Sequence, residues 1–180
     1  CAGKGLLVID GNDVTIRNLT LQRARVADNN GAGIRAEGTN LTIEGVKFIN
    51  NQDGILAADN RKSTITIKGS EFLRNGGCEN ACAHGIYVGH IALLHIERSV
   101  FAETKRAHHI KSRAARTEVI GCDIHDGKTG TASYLIEAPN GGALIVRDNK
   151  LEKGPMAENH AAAMMMGSEG VDQPTPEILV

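Results

Sequence analysis

The chain of 180 residues has no tryptophan, two tyrosines and three phenylalanines, so aromatics make up 3 % of it and any core is filled mainly by aliphatic side chains. No apolar run approaches the roughly 20 residues of a membrane span, and no basic region followed by an apolar segment suggests an attached signal peptide. A formal charge of −1 gives no bulk attraction to nucleic acid or to an acidic polymer, so any polyanion site has to be local. Nothing longer than a turn or two has the periodicity of an amphipathic helix, which excludes leucine-rich and helical repeats. The four cysteines, at positions 1, 78, 82 and 122, lack the paired spacing of a metal framework. Cys78 and Cys82 share the long turn GGCENACAHG, where they either form a local disulfide or stay free. Prolines number only four, while glycines number 21, as expected where tight turns are frequent.

What the chain does have is a repeat. One apolar column reads Val14, Leu41, Ile65, Leu94, Thr117, Leu144, and a second, two places on, reads Ile16, Ile43, Ile67, Ile96, Val119, Val146. A third, seven places after the first, reads Leu21, Phe48, Phe72, Phe101, Ile124, Leu151. Successive repeats start 27, 24, 29, 23 and 27 residues apart, by subtraction of the first-column numbers, which is within the range of solenoid repeats. A spacing that varies around fixed columns means a constant strand core with elastic turns. The openings VTIRNLTL, LTIEGVKF, ITIKGSEF, LHIERSVF and LIVRDNKL alternate apolar and polar residues, a strand signature. A second short apolar stretch, centred on Ile34, Ile55, Ile86, Ile110 and Ile136, gives every coil at least two strands. Propellers need four strands per blade and a longer period.

These columns resemble the right-handed parallel β-helix fold shared by pectate and alginate lyases, chondroitinase-type lyases, polyuronate epimerases and phage tailspikes. The resemblance covers roughly residues 6 to 170 and implies an all-β solenoid of about six to seven coils. The expected organisation is a single β-helix domain over 1–170 and a terminal tail or cap over 171–180, where VDQPTPEILV carries two prolines and no repeat. Cys1 to Gly11 leads straight into a coil without a polar or helical plug, which reads as a mature product or an excised part of a longer chain that lacks its N-terminal cap. Cys122 falls in the column of Leu19, Val46, Ser70 and Ser99, the place of a small buried thiol. Asn51 and Asn75, ten places after the first column, read as a turn-stabilising asparagine stack. The run MMMG at 164–167 reads as core packing under the tail.

With the isoleucines inward, the following residues form an outward column of Arg35, Leu56, Tyr87, Lys111 and Glu137. Stacked about 4.8 Å apart, Tyr87, Lys111 and Glu137 form a ladder. Counting by twos along the strand places His109 and Arg113 beside its middle rung. A polyuronate lyase or epimerase must neutralise the sugar carboxylate, remove the proton at C5, and then expel the 4-linked sugar or return a proton from the other face. Arg113 suits the first need, Lys111 the second, and Tyr87 or His109 the third. Glu137, Asn140 in the sharp PNGG turn, His84, Glu158 and Asn159 extend the face as substrate-binding residues. HHIKSRA is similar to the coil that bears the catalytic lysine of chondroitinase-type and alginate lyases, with Lys111 in the matching place. The partner arginine usual in the following coil is replaced by Glu137, and the Asp-Pro-His of alginate epimerases is missing. A closer likeness is to bacterial β-helix proteins of no assigned reaction that carry HGIYVG, KSRA, SYxIxxPNGG and GP-x-x-EN segments.

The expected partner is therefore an acidic polysaccharide, not nucleic acid, and the expected setting is secreted, periplasmic or at a bacterial cell surface. The alternative is a non-catalytic adhesin-like β-helix that uses the same face to hold glycan or protein. The seven histidines, all from position 84 onward, show no HExxH or paired zinc spacing, so no metal ligands are assigned. No cofactor is required by the sequence, and calcium is left open.

Overall fold

The computed structural model describes residues 4–180; Cys1, Ala2 and Gly3, the start of the segment read as leading straight into a coil, lie outside them. The fold is all-β. Its strands wind through six turns and part of a seventh, each full turn giving one strand to each of three parallel sheets. The first sheet has seven strands, from Gly5–Ile9 to Met164–Met166. The second also has seven, from Val14–Arg17 to Ile178–Leu179, and the third has six, from Thr20–Gln22 to Lys150–Glu152. Among the described residues the only antiparallel pair is a small hairpin, Gly77–Cys78 against Cys82–Ala83, in the longest turn.

The three apolar columns are in register from coil to coil. Val14 pairs with Leu41, then Ile65, Leu94, Thr117 and Leu144, and Ile16 begins the matching second column. Leu21 through Leu151 pair likewise in the third sheet. The isoleucine column of the first sheet runs from Leu7 to Met164. Phe48, Phe72 and Phe101 stack as near-parallel rings with centroids 4.5 Å apart, all fully buried. Thr117 is tolerated in its column because its hydroxyl meets Ser112 Oγ at 2.7 Å, so neither buried hydroxyl lacks a partner.

The corners explain the remaining periodic residues. Between the second and third sheets each coil places one residue at positive φ, at Asn18, Gly45, Gly69, Arg98, Gly121 and Asp148. Glycine, asparagine and aspartate adopt that conformation most readily, which accounts for five of the six. Just after it, Ser70 Oγ accepts from the Val46 N–H and Ser99 Oγ from the Ser70 N–H. Cys122 continues that file as a buried thiol, and burial pushes its pKa up. At the corner between the third and first sheets, Asn75 Oδ1 accepts from the Asn51 N–H while Asn51 Oδ1 accepts from the Ala24 N–H. Their Nδ2 groups donate to the Leu21 and Phe48 carbonyls, the two-way bonding that an asparagine ladder requires.

The last residues join the stack. Met164 and Met166 pack against the core as part of a seventh strand of the first sheet. Ile178 and Leu179 pair with Leu144 and Ile145, so the segment without a repeat signature adds a strand to the second sheet beneath the last full coil.

Phe72→Ala removes the middle ring of the aromatic stack and is expected to cost about 3–5 kcal/mol. Urea unfolding followed by far-ultraviolet circular dichroism checks this, and an unchanged midpoint would show that the stacked column does not carry the stability.

Candidate functional site

The long turn that ends at His84 and the strands Ile86–Val88, His108–Ser112 and Tyr134–Ala138 of the first sheet build the site. Tyr87 pairs with Lys111 and Lys111 with Glu137, so the ladder stands on adjacent coils. Beside it runs a file of rings: His84 lies 5.0 Å from His108 and 5.6 Å from Tyr87, and His108 lies 5.3 Å from Tyr134, centroid to centroid. Tyr87 and Lys111 of the ladder and His84 and His108 of the ring file line an open depression of about 530 Å³ together with Arg113, Ser133, Glu158 and the Cys78 and Cys82 side chains. Cys78 and Cys82 are joined in a disulfide, which fastens one wall of the depression.

The two cations of the site share one carboxylate from outside the coil repeat. Lys111 Nζ lies 2.8 Å from Glu169 Oε1, and Arg113 Nη2 lies 2.7 Å from Glu169 Oε2. Each carboxylate oxygen thus faces its own cation, the two-point arrangement that fixes a carboxylate in orientation as well as position. Arg113 also donates through Nε to the Tyr87 hydroxyl at 3.0 Å and through Nη1 to Asn140 Oδ1. Its guanidinium stands 5.7 Å from the Tyr87 ring centroid, within cation–π range. The guanidinium is therefore held from three sides before any ligand arrives.

Glu137 is the fixed anion beneath. Its Oε2 lies 3.1 Å from Lys111 Nζ and 3.0 Å from His108 Nε2, and its Oε1 accepts from Ser168 Oγ at 2.7 Å. Burial alone would raise its pKa, but the hydrogen bonds from His108 and Ser168 and the nearby positive charges outweigh it and hold the carboxyl at about 2. His84 is shifted the other way. Burial first, then the charges of His108, Lys111 and Arg113, push it well below the usual histidine range, against an opposing pull from Glu137. The result is a neutral imidazole at neutral pH, and its Nδ1 has no hydrogen-bond partner.

His109 is not part of this face, contrary to the count by twos. It is fully buried inside the coil, with Nδ1 2.8 Å from Thr104 Oγ1 and Nε2 2.9 Å from Asp126 Oδ1. The strict alternation fails at the corner, where two consecutive residues face inward. Gly33 and Gly54 occupy the same place in earlier coils, and a Cβ on either would come within 2.9 Å of a buried phenylalanine ring. The histidine that flanks the ladder is His108. Asp126 in turn accepts the Gly154 N–H and lies 3.4 Å from Lys153 Nζ, so the inner chain from Thr104 to Lys153 is satisfied among its own members.

The other expected contacts divide. Asn140 is at the site through Arg113, but the PNGG turn is not open to a ligand. A Cβ on Gly141 would meet Thr175 Oγ1 at 2.9 Å and Val171 at 3.0 Å, because residues 171–175 cross over it. Glu158 borders the depression and pairs with Arg106 at 3.1 Å. Asn159 closes its own turn, accepting from the Ala161 N–H and donating to the Ala162 carbonyl. Glu169 and Ser168 went unnoticed in the sequence because they lie outside the repeat. Among the described residues, no group of three or more His, Cys, Asp and Glu side chains is arranged to hold a metal ion. No helix among them is long and apolar enough to cross a membrane.

The family model for the right handed beta helix region matches residues 16–81, the first three coils. The chain fits the right-handed β-helix superfamily. No curated protein and no solved structure matches it. A β-helix region is compatible with proteins that act on polysaccharides, and the match stops short of the coils that carry the ladder.

Asp53, behind the site, is nearly fully buried and accepts the His84 N–H at 2.7 Å. Burial lifts its pKa to about 7, against that hydrogen bond and the charge of Arg35. Between the ordinary value of 3.8 and about 7 the folded state keeps a proton that the unfolded state has lost, so stability falls as pH rises through this window. Asp53→Asn keeps the acceptor without the charge. It should raise the melting temperature at pH 8 and leave it nearly unchanged at pH 4, measured by calorimetry across that range.

Proposed function

We propose that this β-helix binds an acidic polysaccharide through its uronate carboxylates and acts on it by removing the proton at C5, as lyases and C5-epimerases do. The observation that carries this reading is the carboxylate of Glu169 seated between Lys111 and Arg113. A seat that orients one carboxylate by two cations suits another of the same geometry. The Glu169 side chain is 44 % exposed, whereas those of Lys111 and Arg113 are 12 % and 16 % exposed, so the occupant is the accessible partner. A sugar carboxylate replacing it would be neutralised by Arg113 and Lys111, which lowers the cost of charge that develops when the adjacent C5 proton leaves.

The neutral His84 imidazole lines the same depression and is the group assigned to accept that proton. In elimination, the electron pair left at C5 forms the C4–C5 double bond, the C4–O bond breaks, and the leaving oxygen takes a proton. Tyr87 and Lys111 are the donors at hand. In epimerisation, the same pair instead takes a proton from the opposite face. The Cys78–Cys82 disulfide supports an exported, periplasmic or surface setting.

A binding-only module is the second reading. It is favoured by the Lys111 ammonium, which both Glu137 and Glu169 already engage.

The test is ultraviolet absorbance of the unsaturated uronate during incubation with alginate, pectate, hyaluronan and chondroitin, with and without calcium. Proton exchange at C5 is followed in deuterated water for epimerisation. Lys111→Ala and Arg113→Ala are each expected to weaken glycan binding about tenfold or more. Glu169→Gln, which removes the internal competitor, should tighten it about tenfold. Binding without product or exchange would establish the second reading. Unchanged affinity in all three variants would overturn the carboxylate seat.

A further inference from the structure

A second cationic cluster lies at the corner between the third and first sheets, on the far side of the disulfide hairpin. Arg25 Nη2 and Lys105 Nζ both donate to one acceptor, Asn50 Oδ1, at 3.0 and 2.6 Å. Neither cation has a carboxylate within 4.0 Å among the described residues, although Glu79 borders the same depression. The neighbouring acids are engaged elsewhere, Glu103 with Arg74 and Thr129 and Glu158 with Arg106. Partial burial, with Arg25 and Arg74 beside it, pushes the Lys105 ammonium below the usual lysine range, as expected where like charges gather without a counter-ion.

The site is built on braced backbone. Gln52 Oε1 accepts from the N–H groups of Val26 and Gly31, which holds the turn carrying Arg25. Asn29 ties that turn to the hairpin through the Ala81 carbonyl. Arg25, Gln52, Cys78, Lys105 and Arg106 line a depression of about 390 Å³. Cys78 also lines the depression of the carboxylate seat, so the two hollows adjoin across the hairpin.

We propose that Arg25 and Lys105, with the Glu158-paired Arg106 at the rim, form a second anion-binding site that takes a carboxylate or sulfate group. Resting on the polyuronate reading above, its occupant is an acidic group farther along the polymer whose first carboxylate sits at Lys111 and Arg113. Two adjoining anion sites favour long acidic chains over short ones, because the second contact is made within an already bound molecule.

The test uses inorganic sulfate and a series of uronate oligosaccharides on the full chain and on the double variant Arg25→Ala, Lys105→Ala. Both side chains are exposed, so the variant is expected to keep the fold. Sulfate should shift the amide resonances of Gly76, Gly77, Lys105 and Arg106, and the double variant should lose those shifts. A hexamer should bind about tenfold more tightly than a dimer to the unmodified chain and equally to the variant. Absence of sulfate shifts at this corner would overturn the anion site. Sulfate shifts with a length dependence that survives in the variant would overturn its part in polymer binding. Sulfate shifts with no oligouronate bound anywhere would overturn the polyuronate reading while upholding the anion site itself.

Discussion

Parallel pairing of each coil on the next is the constraint on which everything else in this molecule rests. Strands about 4.8 Å apart in register place every side chain directly over its counterpart, so a residue that suits one coil has to suit its neighbours. A slip of one residue would turn an entire inward column to solvent, which is why length variation is confined to the turns. The largest insertion, between Leu73 and Ile86, shows the outcome: the columns on either side continue unbroken while the extra chain folds as the disulfide hairpin. That hairpin then separates the carboxylate seat from the Arg25–Lys105 corner.

Stacking also governs charge. Identical charges one over another would repel along the whole solenoid, and the second sheet avoids this by alternating sign. Arg17, Glu44, Lys68 and Glu97 succeed one another in one outward file, and Lys47 stands over Glu71 in the third sheet. Single ion pairs of this exposed kind contribute under about 1 kcal/mol each, so their role is to remove repulsion. Against that background, Lys111 near a strand end with Arg113 just past it, and Arg25 beside Lys105 at a corner, gather like charges side by side. Departures from local consistency are where function concentrates.

The coil was legible in the sequence because its determinants are periodic. The columns, the asparagine stack at Asn51 and Asn75 and the buried place of Cys122 all repeat a pattern that register enforces. The ladder of Tyr87, Lys111 and Glu137 followed from the same register. His109 was misplaced because a strand rule was carried through a corner. The signal was present in the glycines at 33 and 54, which leave room where the phenylalanine rings pack. Glu169, Ser168 and the strand at Ile178–Leu179 had no periodic signal, since they come from a segment used once. Their positions depend on how that segment crosses the last coils, a tertiary matter that local pattern does not encode.

The two carboxylates around Lys111 are not equivalent, and their difference bears on how the site works. Glu137 is buried, takes three hydrogen-bonding or ionic partners and is held at about 2, so it stays anionic and in place over the ordinary pH range. It offsets one positive charge permanently. Glu169 is exposed, and its carboxylate makes its ionic contacts with the two cations alone. Exchanging it for a sugar carboxylate keeps the number of charges at the seat constant. The cations need not be stripped of a full water shell a second time, because the protein's own anion has already done it. The cost of entry is then the loss of Glu169's two ion pairs, so the side chain is a competitor that a sugar carboxylate has to outbind. A clamp assembled without Glu137 would lose this balance, since Lys111 and Arg113 would repel one another whenever the seat was empty. The fixed anion below and the replaceable one above are thus two halves of one device.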